Sequence, residues 1–100
     1  MLLTGEPLGA VRAAEIGLVD RLTTEGAALE GALELAATIA ANGPIAVAAT
    51  KAVARGSADR SFAEGWAQQG ELIAPVFASE DAREGATAFA EKRPPVWKGR

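Results

Sequence analysis

The amino-acid sequence predicts a mainly α fold with at most one short strand. Apolar residues recur three and four positions apart through most of its 100 residues, the spacing of a helix face. Helix start and stop signals interrupt that pattern at Gly17, Asn42-Gly43-Pro44, Ser61, Ser79 and Pro94-Pro95. The single extended run, Leu18 to Leu22, has no second strand to pair with; it either pairs with a segment outside this sequence or is simply extended.

The elements follow in order. Met1-Leu2-Leu3 opens on an apolar run with no polar face or cap before it, as if in the middle of an element. Glu6-Pro7-Leu8-Gly9 is a turn. Ala10 to Glu15 is a short helix with Val11, Ala14 and Ile16 inward, and Gly17 suits its left-handed C-terminal cap. Thr23-Thr24 offers an N-cap to a helix from about Glu25 to Asn42. There Glu30, Glu34 and Thr38 form a wet stripe, and Leu29, Leu33, Ala36 and Ala40 a dry one. Gly31 costs that helix roughly 1 kcal/mol against Ala, which a close helix neighbour would explain. Gly43 and Pro44 end one helix and begin the next, and so short a loop implies an antiparallel pair.

Pro44 to Arg55 places Ile45, Ala48, Ala49, Ala52 and Val53 on one face, and Gly56 ends it. Residues 56–60 are a polar connection. Ser61 and Glu64, three apart, form a capping box. The helix they open carries Phe62, Trp66, Ile73, Val76 and Phe77 inward and Gln68, Gln69 and Glu71 outward or sideways. Pro75 predicts a kink or an early finish. In the last helix Ser79 is the N-cap, and Glu80 and Asp81 put negative charge at the positive end of the helix dipole. Ala82, Gly85, Ala86, Phe89 and Ala90 make a narrow apolar stripe. Lys92 and Arg93 complement the negative helix end, and Pro94-Pro95 stops it. Trp97 follows the prolines, placed to clamp the tail onto its own domain or a neighbour.

Composition narrows the chemistry. Apolar residues make up 49% of the chain, about half of them Ala, which has little surface to bury. Such a chain is marginal alone unless it packs on something else. The net charge of −3 argues against nucleic acid or an anionic membrane as main partner. With no Cys and no His there is no disulfide, no thiolate nucleophile, and no hydroxyl–imidazole triad for Ser57 or Ser61. No apolar run approaches a membrane span and no leader pattern opens the chain, so a cytoplasmic protein is the expectation. Glu80, Asp81 and Glu84 are the densest carboxylate group. Such groups can do acid–base work or hold a divalent ion, but helix capping accounts for the first two. No metal site and no phosphate-cradling glycine loop is expected.

The string Ser79-Glu80-Asp81-Ala82-Arg83-Glu84-Gly85, with Phe89, Glu91-Lys92-Arg93, the prolines, Trp97 and Lys98-Gly99, resembles the C-terminal end of the enoyl-CoA hydratase/isomerase (crotonase) family. Leu3-Thr4-Gly5, Glu15-Ile16-Gly17-Leu18-Val19-Asp20 and Ala41-Asn42-Gly43-Pro44 are similar to that family in the same order. Pro75, Gly26 and Gly70 depart from it and weaken local helices. The resemblance implies that residues 1–24 are the end of the family's spiral core. Residues 25–100 are then its C-terminal helical region, near coenzyme A and used in oligomerisation.

The implied activity is hydration or isomerisation of an acyl-CoA thioester through an enolate held by preorganised donors, with carboxylates as acid and base. The substrate is a coenzyme A thioester, with no further cofactor, and the assembly is a trimer or hexamer. The resemblance puts Lys92 near the phosphate or adenosine end of coenzyme A and Phe89 beside the adenine. A lysine suits a phosphate as a point charge and an aromatic edge suits a purine. The oxyanion hole and catalytic glutamates belong to the spiral, so no catalytic residue is expected here and the chain alone is expected to be inactive. The competing reading is a non-catalytic helical oligomerisation module or gene remnant.

Overall fold

A computed structural model describes residues 2–58 and 60–100. Met1 of the opening apolar run and Asp59 of the polar connection lie outside the described residues. Five helices form: α1 (Ala10–Glu15), α2 (Ala28–Ala40), α3 (Pro44–Gly56), α4 (Phe62–Ala78) and α5 (Glu80–Glu91). Among the described residues there is no strand; residues 18–22 are bends and irregular chain. The chain divides into two compact units, Met1–Ala36 and Ala37–Arg100.

In the first unit α1 ends as expected. Gly17 takes φ +72, its N–H donates to Ala14 O at 3.0 Å, and the Leu18 N–H donates to Ala13 O at 2.8 Å. This pair of bonds closes the helix end on a left-handed residue. Its covered residue is Ala13, while Val11 and Ile16 stay exposed. α2 begins three residues later than expected, because Gly26 is left-handed at φ +81 and the Ala27 N–H turns back to Thr24 O at 3.1 Å. Thr23 then serves another end: its methyl lies 2.6 Å from where a side chain on Gly31 would begin. The close neighbour of Gly31 is thus a loop threonine, not a helix.

In the second unit α3 packs on α4 and α4 on α5. Ser61 and Glu64 form the capping box of α4: the Ser61 N–H donates to Glu64 Oε2 at 3.0 Å and the Glu64 N–H to Ser61 Oγ at 3.4 Å. Pro75 does not end α4, which continues to Ala78. The covered face of α4 matches the expected one in part: Ile73 and Val76 are half-buried and Glu71 is exposed as expected, but Gln68 and Gln69 are covered and the aromatic residues are not. Gly65, Gln68, Gln69, Leu72 and Val76 are half-buried, with Gln68 reaching Gly56, whereas Phe62 (86% exposed), Trp66 and Phe77 are open. Phe62 and Trp66 stack on each other with ring centroids 6.1 Å apart. The dry stripe of α2 is also uncovered: Leu29 and Leu33 are exposed.

Candidate functional site

Ser79 joins α4 to α5. Its hydroxyl donates to Val76 O at 2.6 Å and accepts from the Ala82 N–H at 3.0 Å, which satisfies one carbonyl and one amide at the junction. α5 then turns Asp81, Glu84 and the first part of its apolar stripe, Ala82 and Gly85, toward the rest of the unit. Asp81 (4% exposed) and Ala88 are buried, while Ala86, Phe89 and Ala90 are exposed.

The tail after Pro94-Pro95 is held on that face. Asp81 Oδ1 accepts from the Lys98 N–H at 2.7 Å and Oδ2 from the Gly99 N–H at 2.9 Å. The Asp81 N–H donates to Arg100 O at 3.1 Å. Glu84 Oε1 accepts from the Val96 N–H at 2.8 Å and from Arg93 Nη1 at 2.6 Å, and Oε2 from Arg93 Nη2 at 3.1 Å. Arg93 Nε also meets Glu91 Oε2 at 2.6 Å. Glu80 pairs with Lys98 Nζ at 3.2 Å and with Arg100 Nε at 3.4 Å. Trp97 completes the clamp: Nε1 donates to Ala41 O at 2.8 Å, and its ring lies over Gly43 and Gly85, where added methyl groups would stand 3.5 and 3.2 Å from it. Trp97 thus secures the tail to its own chain.

These contacts set the charge states. The two-pronged bond from Arg93, helped by the Val96 N–H, pulls the Glu84 carboxyl down to about 2. Lys98 and Arg100 lower Glu80, and the Ser61 hydroxyl and amide lower Glu64. Glu84 and Glu91 raise Arg93 further above its ordinary value. Glu80 and Glu84 are therefore held ionised, and the tail engages both of them and Asp81.

Lys92 closes α5 at φ 53, ψ 39, and among the described residues it alone is a non-glycine with positive φ. Its N–H donates to Phe89 O at 3.3 Å and the Arg93 N–H to Ala88 O at 3.0 Å, the same two bonds that Gly17 and Leu18 make at the end of α1. Glycine is the usual residue there because it has no Cβ to crowd the carbonyl. Lys92 is exposed, and among the described residues its ammonium has no hydrogen bond or ion pair. Phe89, one turn before it, is 88% exposed. The two residues picked out in the sequence therefore share one helix end. The roles of Asp81 and Glu84 as receptors of the tail were missed. Their signal was a pair of acids three apart on a helix, followed by a proline-broken tail with free N–H groups.

A helical unit with a partly buried carboxylate clamp and an exposed phenylalanine and lysine at the end of its last helix describes a structural class. Comparison with known proteins identifies the family. The enoyl-CoA hydratase/isomerase family model matches residues 1–100, and the chain belongs to that family. A carnitinyl-CoA dehydratase from Citrobacter koseri is 41% identical over all of this chain and 40% of its own length. A probable enoyl-CoA hydratase/isomerase from Mycobacterium abscessus is 57% identical, with a TM-score of 0.91 over 98% of this chain and 39% of that one. An enoyl-CoA hydratase from Mycobacterium tuberculosis H37Rv is 50% identical, with a TM-score of 0.95 over the same shares. The chain thus spans about two fifths of the length of its relatives, and its helices are the helical C-terminal segment of the crotonase-type fold.

Proposed function

We propose that this chain is the coenzyme A-proximal helical layer of an enzyme that hydrates or isomerises an acyl-CoA thioester. It contributes binding and assembly, and no catalytic residue. Residues 1–24 end the spiral core in this reading, and residues 25–100 form the helical region that joins a trimer or hexamer. The reading rests above all on Lys92, a cation unpaired among the described residues and kept in a glycine conformation near an exposed phenylalanine. A phosphate gives that cation a partner, and Phe89 offers an adenine its edge. Relatives named for reactions on coenzyme A thioesters support the ligand class. The uncovered apolar faces of α2 and α4 support burial against further protein.

Coenzyme A titrated into the chain and followed by NMR tests this. The expected result is weak saturable binding that shifts the Lys92 and Phe89 signals and weakens several-fold on Lys92→Ala. A folded trimer by light scattering with no coenzyme A affinity favours the non-catalytic helical module instead.

A further inference from the structure

Two left-handed helix ends occur in one chain, built from the same two hydrogen bonds: Gly17 occupies one and Lys92 the other. An L residue with a side chain resists this conformation, and residues held so persist where surrounding structure over-determines them. Around Lys92 that structure centres on one carboxylate, with a second beside it. Glu84 grips the Arg93 guanidinium through both oxygens, at 2.6 and 3.1 Å, and the same Oε1 accepts the Val96 N–H at 2.8 Å. Glu91 takes the remaining edge of Arg93 at 2.6 Å. Residues 93 and 96 are thus both tied back to α5 at one point, and Lys92 is the residue at which the chain must turn to reach it.

We infer that Glu84 is a positioning residue: by anchoring Arg93 and Val96 it fixes the direction in which Lys92 leaves α5, and so aims the ammonium at a phosphate-bearing ligand. This rests on the coenzyme A reading of Lys92 above. Glu84 does not itself meet the ligand. Its charge has the wrong sign for a polyanion, and both its oxygens are engaged by Arg93 and Val96.

That wrong sign makes the inference testable. By Coulomb's law alone, removing a carboxylate near a polyanion tightens binding; by positioning, it loosens binding. A double-mutant cycle of Glu84→Gln with Lys92→Ala, read as the coenzyme A dissociation constant of the whole chain by NMR, separates the two. The expected result is that Glu84→Gln weakens binding about fivefold when Lys92 is present, the scale of coupling within one bonded network. In the Lys92→Ala chain it is expected to leave binding unchanged or slightly tighter. Glu84→Asp keeps the charge but shortens the reach, so it is expected to weaken binding in the same Lys92-dependent way. It carries the test if Glu84→Gln loses its helical circular dichroism. Weakening that is equal in both backgrounds, or no weakening in either, overturns the positioning role and leaves the ligand assignment standing. No coenzyme A binding by the unsubstituted chain, or an unchanged constant on Lys92→Ala, overturns the ligand assignment itself.

Discussion

Lys92 at φ 53 sets conformational cost against chemistry in one residue. The left-handed conformation costs an L residue roughly 1–2 kcal/mol. Glycine at the same place escapes that cost but loses about 0.5–1 kcal/mol through its greater freedom in the unfolded chain. Lys92→Gly is therefore expected to stabilise the chain by about 0.5–1 kcal/mol in a thermal melt. Unchanged or lower stability would show that Lys92 is unstrained there. Glu84 sets a second expectation. Its folded-state value of about 2 lies below the ordinary 4.5, so its contribution is fully present above about pH 4.5 and is lost as pH falls toward about 2. The tail is expected to release in that window, read as a change in Trp97 fluorescence in a Trp66→Phe chain. A flat signal through it would mean that the Arg93 and Val96 contacts do not hold the tail. Neither role was legible from the residues alone. Glu84 lies beyond the first turn of α5, where the helix dipole explains Glu80 and Asp81, and sequence spacing does not reveal which backbone amides fold back onto it.

The helices themselves were largely legible where a start or stop has a local cause. Gly17 ends α1, Pro44 opens α3, and Ser61 with Glu64 opens α4, each through bonds made within a few residues. Ser61→Ala removes one side of the capping box and is expected to cost about 1 kcal/mol, measured by urea denaturation, with Ser61→Asp restoring most of it. An unchanged midpoint would remove the capping box from the account of α4. The faces of the helices were less legible. Periodicity tells which side of α4 avoids water, not which side this chain covers. The half-buried residues of α4 are Gly65, Gln68, Gln69, Leu72, Ile73 and Val76, while Phe62, Trp66 and Phe77 remain exposed. Gly26 shortened α2 for the same kind of reason: a left-handed residue interrupts a run whose apolar spacing continues through it.

Across the whole molecule, the apolar residues buried within the described chain are small, Ala13 and Ala88. Each large apolar side chain covered by further protein is worth about 2 kcal/mol, so the open faces of α2 and α4 give a strong incentive to associate. No single helix among the described residues is long and apolar enough to cross a membrane. The family was legible from the ordered motifs of the last helix and tail because those residues make the clamp: Asp81, Glu84, Arg93 and Trp97 hold the tail against the rest of its unit. The chemistry was not, because the chain spans two fifths of its relatives' length. In the function proposed above, these helices hold a coenzyme A thioester's far end and leave the reacting atoms to other protein. The most direct measurement is a steady-state assay of the purified chain with crotonyl-CoA. The expected result is a rate equal to that of buffer; turnover well above buffer would place catalytic groups in these 100 residues and contradict the account.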